Sequence, residues 1–108
     1  MAKGRISMDP AEIYAFLTTV PRGKVVTYGQ IGRHFGNPRL ARAVGNILHE
    51  NPDGDRYPCY KVVNSQGRLS QRYAFGGLQG QAQRLRREGI PVENGRVDLK
   101  QYQYDPDK

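Results

Sequence analysis

Between Val25 and Pro52 the chain reads VVTYGQIGRHFGNPRLARAVGNILHENP, two helix signals separated by Gly36-Asn37. Thr27 is placed to cap a first helix that carries Ile31 and Phe35 inward. Pro38 starts a second, with Leu40, Val44, Ile47 and Leu48 on one face and an end near Asn51-Pro52. Two short helices joined by a glycine-containing turn form the helix-turn-helix pattern, although purely structural helix pairs share the spacing. Arg39 and Arg42 lie near the start of the second helix, with Ala41, Ala43 and Gly45 close by. Small residues let a helix backbone approach a groove, and an arginine among them can reach in; a solvated arginine face is the bland alternative.

Charge favours the groove. The 108 residues carry a net charge of +7, and arginines outnumber lysines. Such an excess attracts a polyanion, and the guanidinium suits bidentate phosphate and base contacts. The length allows one domain, residues 1–108 with a core over about 9–100 and flexible termini. MAKGRISMDP has no apolar stretch, so no signal peptide is expected. No apolar run is long enough to span a membrane.

Outside the helix pair, Asp9-Pro10 with Glu12 signals a helix start, and Ile13, Phe16, Leu17 and Val20 share its inner face until Pro21 stops it. Lys24-Val25-Val26 allows a brief strand. CYKVV at 59–63 reads as a β-rich run, Asn64–Gly67 as a turn, and Arg68-Leu69-Ser70 as its returning hairpin arm. Residues 71–77 read as loop. A helix from about Leu78 buries Leu78, Ala82 and Leu85 and ends at Gly89. VENGRV at 92–97 is a two-residue Asn-Gly hairpin. The polar tail KQYQYDPDK is expected to fray. The fold class is α+β, a winged-helix-like helix-turn-helix domain with small β-hairpin elements.

Cys59 is the only cysteine, so no internal disulfide, C-x-x-C motif or Cys/His metal cluster is available, and a reducing compartment is expected. A thiol attacks only as thiolate, and cysteine is also a common inert core residue. Pro58 removes a backbone donor and holds the chain extended just before it. Glu88 falls in the last turn of its helix, facing the negative end of the dipole, where Arg84 and Arg87 could offset the cost. Asn51 could simply end its helix, or could lock the Cys59 turn through its amide.

Taken together, Tyr28 in VVTYGQIGRHFGNPRLARAVG, Arg42-Ala43-Val44-Gly45, Asn51-Pro52, Pro58–Val63 and Leu85 through Glu88-Gly89 resemble the O6-alkylguanine-DNA alkyltransferases. The resemblance covers about residues 9–90, the family's C-terminal active domain. VVNSQGRLS and the late VDLKQYQY segment are similar to the short alkyltransferase-like branch, in which tryptophan usually replaces the cysteine. In both branches the motif normally continues with histidine and arginine; here Tyr60 and Lys61 follow Cys59.

This resemblance implies a set of roles. Arg42 enters the minor groove and fills the gap left by an extruded guanine, and Tyr28 presses on the 3′ phosphate. Asn51 orients the Cys59 turn, Cys59 accepts the alkyl group, and Tyr60 and Glu88 stand where the family relays the thiol proton. Arg39, Ala41, Gly45, Lys61, Arg68 and Tyr73 complete the DNA contacts, Tyr73 as an approximate match to the lid tyrosine and Phe75 as either a stacking or a packing residue. A phenol ionises near ~10 against ~6.5 for imidazole, so Tyr60 is a poor base, and losing a positioned base costs on the order of 10² to 10⁴ in rate.

The expected activity is single-turnover methylated-DNA–[protein]-cysteine S-methyltransferase chemistry on double-stranded DNA containing O6-alkylguanine, without metal or cofactor. The alternative is a non-catalytic sensor that marks the lesion for nucleotide excision repair, with excision-repair proteins as partners. A general helix-turn-helix transcription factor is the third reading. A monomer in the cytoplasm, associated with the nucleoid, is expected.

Overall fold

The computed structural model describes residues 9–105; the expectation of flexible termini falls largely outside them. Helix α1, Pro10–Leu17, starts where Asp9 accepts a hydrogen bond from the Ala11 N–H and Pro10 occupies the first turn. It buries Ile13, Tyr14 and Leu17. Strand β1, Val26–Thr27, leads directly into α2, Tyr28–His34. Thr27 caps α2 reciprocally: its hydroxyl accepts from the Gln30 N–H, and the Gln30 side chain accepts from the Thr27 N–H.

The turn that follows α2 depends on two glycines. Gly36 adopts φ +125°, a region that L side chains rarely enter. A Cβ on Gly32 would lie 2.8 Å from the Asn37 carbonyl oxygen and 3.3 Å from the Leu40 Cβ. The backbone of the turn therefore closes onto α2 because no side chain intervenes. Pro38 does not begin the second helix itself. Pro38–Leu40 forms a 3-10 turn, and α3 spans Ala41–His49. Val44 and Leu48 are its buried residues, while Ile47 is half-buried.

CYKVV is not a continuous strand. Cys59–Lys61 forms a 3-10 turn, and only Val62–Val63 is extended, as β2, pairing parallel with β1 in the register Val26 to Val62 and Thr27 to Val63. Backbone and side-chain bonds fold residues 59–61 back on themselves, the Lys61 N–H donating to the Pro58 carbonyl at 3.1 Å. The returning arm differs as well. Asn64 and Arg68 close the turn with a single backbone bond, but Arg68 bridges antiparallel to Arg96, and Leu69 donates to the Gly95 carbonyl. The segment thus joins the Asn94-Gly95 hairpin, whose φ values of +55° and +72° suit a two-residue turn.

Helix α4, Gly77–Arg87, buries Gln81, Ala82 and Leu85, and Gly89 (φ +81°) terminates it, with Ile90 donating back to the Leu85 carbonyl. The tail does not fray over its described part. Asp98 caps a short α5, Leu99–Tyr102, and Val25 exchanges backbone bonds with Tyr102 and Tyr104. The Gln30 amide also donates to the Tyr104 carbonyl. Polar composition concealed this because the holding groups are backbone rather than apolar side chains. A core of Ile13, Leu17, Val25, Val26, Ile31, Val44, Val62, Val63, Leu85 and Ile90, each fully buried, lies between the helix pair and α4.

Gly32→Ala should force the turn away from α2 and destabilise the fold by about 1–3 kcal/mol, the usual cost of overpacking a tight site. Urea denaturation measures it as a lowered midpoint at unchanged slope.

Candidate active site and nucleic-acid interface

A cavity of about 330 Å³ opens between α3, the Cys59 turn and the loop at 70–74. Tyr28, Ala41, Arg42, Gly45, Cys59 and Tyr73, all expected at the site, line it. Gly45 has a second use here: a Cβ on it would touch the Tyr28 ring at 3.8 Å, so the small residue lets the phenol lie against α3. Arg42 is exposed, as is Arg39 on the turn before α3, which is outside the cavity wall. Arg68 is exposed on the hairpin side and also outside it.

Behind the wall, a set of local polar bonds fixes the cysteine. Asn51 is buried; its amide donates to the Tyr57 carbonyl at 2.7 Å, and its carbonyl oxygen accepts from the Asp53 N–H. The Cys59 N–H in turn donates to Tyr57 at 2.7 Å. Cys59 itself is 6% exposed. Burial pushes its thiol pKa up from the ordinary 9.0, while Asn51, the local backbone and the Arg84 charge pull it partly back.

Tyr60 points away from the cavity to Glu88. Its hydroxyl donates to Glu88 Oε2 in a short hydrogen bond. Arg84 lies over its ring at 4.6 Å from the centroid while pairing with Asp55 at 3.0 Å. Burial and the Glu88 carboxylate raise the phenol to about 12. Glu88 Oε1 accepts from the Gly23 N–H at 3.0 Å and pairs with Lys61 Nζ at 3.0 Å. Burial alone would raise the Glu88 carboxyl, but the Tyr60 and Gly23 hydrogen bonds and the Lys61 charge outweigh it and hold the group below its ordinary 4.5. Those partners, rather than Arg84 and Arg87, balance the helix end.

Lys61 is therefore not a DNA contact. Its side chain is 4% exposed, and its ammonium donates to the Val20 and Pro21 carbonyls as well as to Glu88. A cation so placed cannot reach a phosphate. Phe75 remains 40% exposed while its ring packs on Gly54 and edge-on to Tyr73. The reading of the sequence missed Leu48, His49, Ser70, Arg72, Ala74 and Gln81, which complete the cavity wall. Among the described residues no group of three or more His, Cys, Asp or Glu could hold a metal ion.

Comparison with known proteins places this architecture. Residues 10–90 match the family described as 6-O-methylguanine DNA methyltransferase, DNA binding domain. The chain belongs to this family. It is 41% identical over 96 residues to a DNA base-flipping protein of Vibrio parahaemolyticus serotype O3:K6 (strain AQ3810), covering 88% of this chain and 94% of that protein. Identity is also 41%, over 92 residues, to a bifunctional methyltransferase/endonuclease of Picrophilus torridus; there the match takes 85% of this chain but 30% of the relative. The fold superposes with a TM-score of 0.82 and 32% identity on an S. pombe alkyltransferase-like protein crystallised with damaged DNA containing O6-carboxymethylguanine, over 94% of this chain and 100% of that one. The 6-O-methylguanine DNA methyltransferase family thus includes both methyltransferases and alkyltransferase-like proteins, and the short branch is similar over almost its full length.

The buried pair sets an acid limit on stability. A carboxyl held below 4.5 in the fold and near 4.5 when unfolded stabilises fully above that pH, and its contribution is lost as pH falls below 4.5 toward the depressed value. Acid titration by circular dichroism should show this loss, and Glu88→Gln should remove that part of the pH dependence. Lys61→Met, which strands the carboxylate, should cost about 3–5 kcal/mol at neutral pH.

Proposed function

We propose that this protein acts in alkylation-damage repair by extruding O6-alkylguanine from duplex DNA into the cavity and accepting the alkyl group on Cys59. The observation that carries the reading is the wall of that cavity. Cys59 lines it, as does Tyr73, whose hydroxyl is buried without a hydrogen-bond partner among the described residues. An orphaned buried hydroxyl is costly unless something supplies its partner. The volume falls at the lower end of ordinary ligand pockets, about 300–1,000 Å³. A flipped purine fits both requirements, and extruding a weakly paired alkylated base costs only a few kcal/mol.

In this mechanism α3 lies along the minor groove and Arg42 occupies the gap left by the extruded base, with Tyr28 against the neighbouring phosphate. The Cys59 thiolate attacks the alkyl carbon; the S–C bond forms as the C–O6 bond breaks, and the electron pair stays on O6. The proton lost from the thiol ends on the purine ring, restoring guanine. The reaction uses one protein per lesion and acts as a monomer. Tyr60 does not serve as base, because its proton is held by Glu88 and its pKa is near 12. The thiolate therefore forms by equilibrium with solvent, and transfer is slow. This same feature favours a second reading, a sensor that binds the lesion without transfer and hands it to excision-repair proteins.

Intact mass spectrometry after incubation with an O6-methylguanine duplex separates the two. Transfer adds one methyl mass to the wild type and none to Cys59→Ser; selective binding without added mass at full occupancy selects the sensor. Because the thiol pKa lies above 9.0, the transfer rate should rise about tenfold per pH unit between 6 and 8, following the thiolate fraction. A flat profile would show that a hidden base takes the proton.

A further inference from the structure

Gln81 is 1% exposed, lies on the buried face of α4 and lines the cavity. Its amide joins two separate walls. Nε2 donates to the Tyr60 and Val62 carbonyls, both at 2.9 Å, and Oε1 accepts from the Ser70 N–H at 2.8 Å. Both amide protons and one acceptor position are thus used by three backbone groups. Tyr60 follows Cys59 directly, and Ser70 begins the loop that carries Tyr73. Upstream of the thiol, Asn51 grips the Tyr57 carbonyl at 2.7 Å. The turn bearing Cys59 is therefore held at both ends by carboxamides, and the downstream one also holds the loop. Ser70 continues the connection: burial raises the Tyr28 phenol pKa, and a hydrogen bond with the Ser70 side chain offsets part of that rise.

We propose that Gln81 is a positioning residue that fixes the Cys59 turn and the 70–74 loop at one separation, so that the thiol and the lid side chains meet the same extruded base. Nothing in its geometry calls for contact with the reacting atoms. Its effect is exerted through Tyr60, Val62 and Ser70. The part of the proposal that concerns lesion recognition rests on the function proposed above; the part that concerns the thiol does not.

The two halves of the amide can be separated by chemistry. Gln81→Glu keeps an acceptor for the Ser70 N–H but at neutral pH sets a carboxylate against two carbonyls. Gln81→Lys keeps donors for both carbonyls and loses the acceptor. Because Cys59 is the only cysteine, iodoacetamide labelling followed by mass spectrometry reads the turn alone. The ratio of affinities for an O6-methylguanine duplex and the same unmodified duplex reads the assembled cavity.

Gln81→Glu should label about tenfold faster than wild type, because the released turn exposes a thiol otherwise protected by burial. Gln81→Lys should label within twofold of wild type yet lose about tenfold in the affinity ratio, the loss of a single well-placed bond to a backbone group. Melting temperatures measured beside these values identify a purely structural role, in which both readouts would follow the melting temperature regardless of which half of the amide was removed. That pattern, or wild-type labelling and selectivity in both variants, would overturn the proposal. If the wild type itself does not distinguish the two duplexes, the proposed function fails, while the labelling rates still decide whether Gln81 holds the turn.

Discussion

Lys61 and Glu88 form an ion pair whose two side chains are 4% and 8% exposed, and the Cys59–Lys61 turn is secured through it. A charge in that position is tolerable only if every polar group around it is partnered, since an unpaired buried ion costs several kcal/mol. The pair meets that condition with backbone groups: the Val20 and Pro21 carbonyls accept from the ammonium, and the Gly23 N–H donates to the carboxylate. Three parts of the chain therefore converge on one point, the turn after α1, the Cys59–Lys61 turn and the end of α4. With Lys61 held inward, the preceding Cys59 is left facing the cavity.

The same arrangement determines what proton chemistry the site can support. A useful general base titrates near the working pH. Here the carboxyl is held below 4.5 and the phenol is raised to about 12, by burial first and then by the hydrogen bond between them, so both lie away from neutrality. The histidine that the resemblance to the alkyltransferases implies at this position would titrate in the middle of that range, whereas Tyr60 serves as a strut to Glu88. Burial moves the thiol in the unreactive direction as well. Under the proposed function, the cavity still has room for an extruded base, while assistance to its dealkylation is weakened. A stoichiometric acceptor that reacts once tolerates a slow step better than an enzyme that must turn over.

Elements with local signals were legible in the sequence. Asp9 and Thr27 cap their helices as expected, Gly89 ends α4, and the Asn94-Gly95 pair makes its hairpin, each because the determining contacts lie within a few residues. Cavity residues on α3 followed from the helix-turn-helix pattern together with the family resemblance. What escaped was set at long range. Val62-Val63 made the whole run 59–63 resemble a strand, whereas its first half is a turn whose Tyr60 carbonyl is held by Gln81, 21 residues on. Lys61 looked like one more surface cation because nothing near it announces Glu88. Gln81 carried one faint signal: with Ala82 and Leu85 it makes up the buried face of α4, a polar residue where an apolar one belongs.

Gln81 and Asn51 also explain how so little regular structure can hold a site. The only sheet among the described elements has two residue pairs, far less than a sheet needs for independent stability. Precision comes instead from carboxamides bonded to backbone: Asn51, Asn64, Gln30 and Gln81 each bridge at least two groups. One such bond adds only about 1 kcal/mol net, but breaking it strands a buried group at about 1–3 kcal/mol. These bonds are also unevenly distributed around the cavity. The α3 wall is closed onto α2 through Gly32, and the thiol wall is pinned on both sides. The loop is held at Ser70 by Gln81 and at the Arg72 carbonyl by His49, while Ala74 and Phe75 beyond them are exposed. Low burial and few bonds mark the segment that opens most readily. If the proposed function holds, residues 74–76 are the part of the wall that can yield to a bulky purine while the groups that hold Cys59 stay in place.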